Sequence, residues 1–338
     1  MTDATAGFNS GAWCGVWAQS LNALRASIVI TNYNYARFLD QRLGTIEKQS
    51  YRDFEVILLD DASTDDSVQI LKRFAREHDC QLVCNEHNSG SAFKQWNKGL
   101  KLATGQYVWI AEADDYADER FLESLVGRLE QNPECGLAYC NSSAVDASGH
   151  IIDLVRPTMY DVDLTRWQRD FVGSGREECI RYLIRENTIQ NASAVVFKRE
   201  LYDIVGGADE SLKLASDWKF WASLLCVSDL AFVAAPLNCF RTHGSSVRAK
   251  TRTWMHIIEA LQVMKYIVDK LDVPRDALED LHARLAVVLL RAYITQRPSA
   301  ADLARIRELT GSLQFGFSLR ATSGFTRQVL QAITSRLH

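Results

Sequence analysis

Short apolar segments rich in β-branched residues alternate along the first part of the chain with segments whose apolar residues recur every three or four positions. The former pattern predicts strands and the latter amphipathic helices, and their alternation is typical of βαβ units in a mostly parallel sheet. Strands are predicted at residues 27–31, 54–59, 81–84 and 107–111. Helices are predicted at residues 38–48, from Asp66 onward and at 92–103.

The pattern changes further along the chain. A helix is predicted at 121–129, strands at 136–140 and 194–197, and an apolar helix at 218–225, whereas residues 145–175 show weak periodicity. Beyond residue 248 the pattern is purely helical. The predicted organisation is a helical N-terminal extension (1–25), an α/β domain (26–248) and a separate helical region (249–338).

Composition narrows the class of protein. The chain has 338 residues, 47% of them hydrophobic, which is typical of folded proteins. A net charge of −4 gives no overall basic field, so we expect no nucleic-acid partner. Eight cysteines without a CxxC pair indicate reduced thiols. The absence of a signal-peptide pattern and of a long uncharged apolar segment predicts a cytoplasmic protein.

Acidic and amide residues follow three of the predicted strands. Residues 31–34 follow the first strand, Asp60 and Asp61 the second, and residues 112–115 the fourth. Ligands of such sheets bind beyond the carboxyl ends of the strands. Clustered carboxylates repel one another unless a cation compensates them, so Glu112, Asp114 and Asp115 indicate Mg²⁺ or Mn²⁺ completed by substrate phosphates. Taken singly, each cluster is equally well explained as a helix cap or an Asx turn.

In combination, these segments resemble the inverting family-two glycosyltransferases of the GT-A fold, which show a TxYN-like loop, a DDxSxD segment and a DxDD segment in this order. The matching segments here are residues 31–34, 60–65 and 112–115, with Glu112 in place of the usual first aspartate. Residues 88–99 resemble a helix start found in members that modify bacterial cell-surface polysaccharides. The resemblance covers about residues 26–248.

The resemblance implies roles for individual residues. Thr31, Tyr33 and Asp61 would hold the donor base, which favours uracil or thymine. Independently of the resemblance, Lys94 and Arg248 are candidate diphosphate contacts, because the charge of the leaving group must be neutralised, although each residue taken alone is more often a solvated surface charge. Asp114 is the first choice as metal ligand, followed by Asp115, with Glu112 and His243 completing the metal set. The implied nucleotide-binding set is Thr31, Tyr33, Asn34, Asp60, Asp61, Lys94 and Asp114.

The resemblance also implies a catalytic base. The family has an acidic pair at the start of a helix near a tryptophan, and Asp217 matches it, with Ser216 replacing the first acid. An ordinary helix cap is the alternative role for Asp217. Trp218 and Trp221 are candidate acceptor-sugar contacts, although tryptophans at helical spacing more often pack in a core.

The function implied is inverting transfer of a sugar from a UDP- or dTDP-linked donor to a hydroxyl of a glycan or lipid-linked acceptor. The alternatives are a non-catalytic nucleotide-sugar or glycan-binding module, suggested by Glu112 and Ser216, and a nucleotidyltransferase.

From residue 297 onward, arginines exceed acidic residues by four. An apolar face there predicts either docking at the inner face of an anionic membrane or packing on the domain or on a second subunit of a homo-oligomer.

Overall fold

A computed structural model of the chain describes residues 25–155, 163, 165–243 and 253–313. The strands are β1 (Ala26–Asn32), β2 (Phe54–Asp60), β3 (Gln81–Cys84), β4 (Tyr107–Glu112), β5 (Tyr116–Ala117), β6 (Cys135–Val145), β7 (Ile151–Val155), β8 (Phe171–Gly173), β9 (Val195–Lys198) and β10 (Asp229–Arg241). The helices are α1 (Ala36–Glu47), α2 (Ser67–His78), α3 (Ala92–Leu102), α4 (Phe121–Gln131), α5 (Gly175–Glu178), α6 (Glu200–Val205), α7 (Ser216–Leu225), α8 (Thr253–Lys270), α9 (Arg275–Thr295) and α10 (Ala300–Ser312). A π-helix at Cys179–Leu183 continues α5.

These strands form one sheet in the order β3-β2-β1-β4-β9-β6-β10-β5, with β7 paired to β6 and β8 to β10. The predicted parallel arrangement is confirmed for β3, β2, β1 and β4. Beyond β4 the sheet is mixed, because β9 runs antiparallel to both β4 and β6. The α/β fold is therefore a parallel half joined to a mixed half.

The register of the parallel half brings the polar strand ends together. Thr31 of β1 pairs with Glu112 of β4, and Asn32 pairs with Asp60 of β2. Parallel strands end at the same edge, so side chains that are dozens of residues apart in sequence become neighbours.

Hydrophobic clusters cover both faces of the sheet. Alternate residues of β1 point to opposite faces, with Ile28 and Ile30 packing with α1, α2 and α4, and Val29 packing with α3 and α7. A Cβ at Gly99 of α3 would lie 2.2 Å from Cγ1 of Val29, so glycine permits this close helix–sheet contact. Gly105 also permits a close contact, because a Cβ there would lie 2.6 Å from the backbone of Ala26.

The predicted C-terminal helices are present as α8, α9 and α10, but α8 is not separate from the α/β core. Trp254, Leu261 and Ile267 of α8 belong to the same hydrophobic cluster as Trp221 of α7. Trp254 also donates a hydrogen bond from Nε1 to the carbonyl of Gln296 at 2.9 Å. The helical region therefore packs against the α/β core through α8.

Several elements escaped the sequence pattern. β10 has 13 residues and was not predicted, and β5 and α6 are too short to carry a periodic signal. The weakly periodic stretch contains β7 and β8, which are edge pairings. The predicted N-terminal extension, the 248/249 domain boundary and the C-terminal membrane segment lie largely or wholly outside the described residues.

Candidate active site

The loops after β1 and β2 are fastened to each other. Asn34 adopts a left-handed backbone conformation (φ 57°), which asparagine tolerates better than most residues. Its Oδ1 accepts a hydrogen bond from the backbone N–H of Thr64 at 2.7 Å, and its own N–H donates to Ser63 Oγ at 2.9 Å. Fully buried Asp60 accepts from Asn32 Nδ2 and Ser63 Oγ, each at 2.7 Å. Asn34 and Asp60 thus shape this edge of the nucleotide region.

Asp61 is 4% exposed and is held by four donors. Its Oδ1 accepts from Asn85 Nδ2 at 2.6 Å, from the Ser89 N–H at 2.9 Å and from Gln95 Nε2 at 2.9 Å. Its Oδ2 accepts from Ser89 Oγ at 2.7 Å. A carboxylate offers about four acceptor positions, so a base N–H would have to replace one of these donors. Asp61 ties β2 to the start of α3.

Glu112 occupies the end of β4 as a partly buried carboxylate. Its Oε1 accepts from Trp96 Nε1 at 2.6 Å and its Oε2 from Thr31 Oγ1 at 2.9 Å. Burial, followed by the charge of Asp114, raises the pKa of Glu112 to about 7. Both oxygens are therefore engaged within the fold, and binding a cation there would require breaking these bonds.

Asp115 points into the protein and is 3% exposed. Its Oδ1 accepts the backbone N–H of Arg241 at 2.9 Å. Burial and the charge of Asp114 raise the pKa of Asp115 to about 7, while Arg42 opposes this rise. Arg42, fully buried on α1, donates from Nε to the Glu112 carbonyl at 2.9 Å. Its position on the apolar stripe of α1 is a sequence signal that could have identified it.

Arg241 was missed by sequence reasoning, although it organises the turn after β4. Its Nε donates to the Asp114 carbonyl at 2.7 Å, and its Nη2 donates to Gln41 Oε1 at 2.6 Å. Its Nη1 donates to the carbonyls of Asp146 and Ala147 at 3.0 and 3.1 Å. One guanidinium thereby connects α1, the acidic turn and the β6–β7 turn.

Asp114 and His243 form the pair best suited to a cation. His243 Nε2 lies 2.9 Å from Asp114 Oδ2, and the ring packs against Tyr35 and Phe38 at centroid distances of 5.4 Å. No group of three or more candidate ligands occurs in the described ranges. One carboxylate oxygen and one imidazole nitrogen fit a Mg²⁺ or Mn²⁺ ion whose remaining ligands are diphosphate oxygens and water.

Asp217 lies in the first turn of α7, where the sequence predicts it, and is half-buried. Its Oδ2 accepts from Asn187 Nδ2 at 3.2 Å. The neighbouring Thr188 donates from Oγ1 to buried Glu178 at 3.1 Å, and Glu178 pairs with Arg166. The loop that contacts Asp217 is therefore anchored to the start of the π-helix. Asn187 carried no sequence signal of its own.

The loop beyond Asn187 also reaches the donor side. Ser193 Oγ accepts the backbone N–H of Glu112 at 3.1 Å. The ring of Trp96, which donates to Glu112, lies 6.0 Å from that of Trp221 on α7. The first turn of α7 is thus linked to the end of β4 through the loop at residues 187–193 and through the neighbouring rings of Trp96 and Trp221.

Trp218 and Trp221, the predicted acceptor contacts, are 7% and 0% exposed. Trp218 donates from Nε1 to the Leu183 carbonyl at 2.9 Å, and Trp221 packs against Phe197 and Phe220. Neither ring presents an open face on which a sugar could stack. The structure corrects their expected role from an acceptor platform to core packing beneath α7.

Of the remaining predicted contacts, Tyr33 is 44% exposed and available for packing against a base. Lys94 is exposed, and its Nζ donates to the Ser89 carbonyl at 3.3 Å beside the loop held by Asp61. Arg248 lies outside the described residues. The described helices include none long and apolar enough to cross a membrane.

Comparison with known proteins establishes the family. The model of glycosyl transferase family 2 matches residues 27–200, slightly more than half of the chain. The chain belongs to this family. It is 33% identical over 235 residues to the glycosyltransferase GlyG of Streptococcus pneumoniae, covering 65% of this chain and 72% of that protein. The poly(ribitol-phosphate) β-N-acetylglucosaminyltransferase TarS of Staphylococcus aureus is 28% identical over 111 residues, covering 32% of this chain but 19% of TarS.

Solved structures confirm the GT-A fold. TarS 1–349 in complex with UDP-GlcNAc superposes with a TM-score of 0.62 at 17% identity, covering 86% of this chain and 80% of that one. The mannosyltransferase PcManGT of Pyrobaculum calidifontis, in complex with GDP-Man and Mn²⁺, gives a TM-score of 0.57 at 19% identity and covers 93% and 87% of the two chains. The resemblance inferred from the strand-end motifs is thus confirmed, and the chain is a family-two glycosyltransferase.

Proposed function

We propose that this glycosyltransferase is metal-dependent and inverting, and that it transfers a sugar from a UDP- or dTDP-linked donor to a hydroxyl of a glycan or lipid-linked acceptor in bacterial cell-surface polysaccharide synthesis. The observation that carries the proposal is the pairing of Asp114 with His243 beyond β4, on structure connected to Asp217 at the start of α7. TarS, a relative, is named for transfer of N-acetylglucosamine onto poly(ribitol-phosphate), which supports a polymeric surface acceptor.

In this mechanism the two groups have separate tasks. A cation held by Asp114 and His243 would neutralise charge on the departing nucleoside diphosphate. Asp217 accepts the proton of the acceptor hydroxyl while its oxygen attacks the anomeric carbon from the face opposite the leaving group. The new glycosidic bond forms as the bond to the diphosphate breaks, so the configuration inverts.

The donor side supports the proposed nucleotide. Tyr33 is exposed for packing against a base, and Thr31, Asn34, Asp60 and Asp61 build the surrounding loops. Lys94 lies at the start of α3, beside those loops, as a candidate diphosphate contact. UDP-GlcNAc is the first donor to test, because a TarS structure binds it.

The test is a panel of UDP-, dTDP- and GDP-sugars with Mn²⁺ or Mg²⁺, scored by nucleoside diphosphate release and donor-induced thermal stabilisation. For Asp217→Asn we expect release to fall by roughly 10²- to 10⁴-fold while donor binding persists, because only the base is lost. Absence of stabilisation by every donor would contradict the proposal. Pyrophosphate release would instead identify a nucleotidyltransferase, and binding without release for every acceptor tested would favour a binding module.

A further inference from the structure

The backbone just ahead of Asp217 is held by a side chain from the C-terminal helical region. Glu259 lies on α8 and is 5% exposed. Its Oε1 accepts the N–H of Lys213 at 2.9 Å, and its Oε2 accepts the N–H groups of Leu214 and Ala215 at 2.8 and 2.9 Å. One carboxylate thus gathers three consecutive backbone donors that end at the residue preceding α7.

This arrangement has a clear energetic basis. Burying a carboxylate is costly unless hydrogen bonds compensate, and three N–H donors provide charge-assisted bonds. The site also lies at the N-terminal end of α7, where the helix dipole favours a negative charge. Removing the carboxylate would leave three buried or half-buried N–H groups without this acceptor, and the segment would relax.

Relaxation of residues 213–215 would also displace Asp217, because this segment leads directly into the first turn of α7. Ala215 is the N-cap residue of α7, and its carbonyl accepts the first helical hydrogen bond, from the N–H of Lys219 at 3.0 Å. Lys219 is in turn paired with Asp209 at 2.5 Å and lies 5.5 Å from the ring centroid of Tyr266 on α8. Contacts with α8 and with the loop that Glu259 holds therefore help to align the first turn of α7.

We propose that Glu259 is a positioning residue for the catalytic base, so that α8 supports the catalytic site rather than belonging to an accessory domain. The proposal rests on the assignment of Asp217 as the base. Glu259 touches no reacting atom. It fixes the backbone from which Asp217 projects, and small displacements of a catalytic group lower the rate without weakening donor binding.

The test compares Glu259→Ala and Glu259→Gln with Asp302→Ala. Asp302 forms a capping box with Ser299 at the start of α10, so its loss destabilises the helical region without removing the acceptor of residues 213–215. For Glu259→Ala we expect kcat to fall roughly 10- to 100-fold with donor KM within about twofold of wild type. Glu259→Gln should recover part of kcat, because its Oε1 still accepts, and Asp302→Ala should lower Tm but keep kcat.

Amide hydrogen exchange at residues 213–215 gives a readout independent of activity. Exchange there should accelerate in Glu259→Ala and not in Asp302→Ala. Wild-type kcat in folded Glu259→Ala, or an equal loss of kcat in Asp302→Ala, would overturn the proposal. If Glu259→Ala does not fold, Glu259→Gln decides instead: faster exchange at residues 213–215 with a lowered kcat would support the proposal, and faster exchange with wild-type kcat would overturn it. An active Asp217→Asn enzyme would refute the assigned base instead, and exchange would then show whether Glu259 holds the loop.

Discussion

The two halves of the site are built differently. In the donor half, residues 26–115, the side chains beyond β1, β2 and β4 each follow directly from a strand, and the parallel register brings them together. The acceptor half comprises residues 166–225 and α8. Asp217 is contacted there by Asn187, which precedes it by 30 positions, and the segment ahead of Asp217 is held by Glu259, which follows Lys213 by 46 positions. A site made from strand ends can be found in the sequence, whereas one assembled from distant segments cannot.

The largest effect should come from the proposed metal pair, in which Asp114 of the donor half meets His243 beyond β10. Asp114→Asn and His243→Gln each remove one member of the proposed metal pair, so we expect the Mn²⁺-dependent rate of nucleoside diphosphate release to fall by about 10²- to 10³-fold, the equivalent of a few kcal/mol of transition-state stabilisation. Calorimetric titration with Mn²⁺ in the presence of UDP would measure how far the loss of each ligand lowers the Mn²⁺ affinity. The control is Asp118→Asn, because Asp118 is an exposed acid in the same segment between β4 and α4. Unchanged Mn²⁺ affinity in Asp114→Asn would show that the cation binds elsewhere.

An intermediate effect concerns pH. Burial and Asp114 raise the pKa of Glu112 to about 7 in the folded protein, from an ordinary value of 4.5. The folded state therefore binds this proton more tightly than the unfolded chain. The resulting stabilisation is complete below about pH 4.5 and is lost as pH rises through about 7. This loss amounts to about 3 kcal/mol for Glu112 in metal-free protein.

Denaturant unfolding of metal-free wild type and Glu112→Gln between about pH 5.5 and pH 7.5 would measure this contribution. The variant lacks the titrating carboxyl, so its stability should decline less across this range. Parallel curves for the two proteins would contradict the raised pKa of Glu112.

The smallest effect tests the corrected role of the acceptor-half tryptophans. Trp218→Phe removes the bond from Nε1 to the Leu183 carbonyl, whereas Trp221 Nε1 is buried with no acceptor among the described residues. Both substitutions remove similar volume, so Trp218→Phe should lower the free energy of unfolding by about 1 kcal/mol more than Trp221→Phe. Chemical denaturation would measure the difference. Equal losses would show that the Trp218 hydrogen bond contributes nothing to stability.

Much of the donor half was predictable, because its information is local. An apolar strand followed by polar residues predicts both the element and the edge at which its site lies. The orientation of the acids was not predictable. Asp114 and Asp115 are adjacent in sequence, yet Asp114 meets His243 while Asp115 turns inward to the backbone of Arg241. That choice depends on β10, which the periodicity did not identify.

The sequence by itself determined the βαβ order, the polar strand ends, the family and the position of Asp217 at a helix start, because each depends on residues close together in the chain. Tertiary structure decided which carboxylates accept hydrogen bonds from loops and are therefore not open to ligands. It also decided that Trp218 and Trp221 are buried and that Glu259 contacts the segment ahead of Asp217. These features depend on which surfaces pack against each other, and packing joins residues whose separation leaves no periodic trace in the sequence.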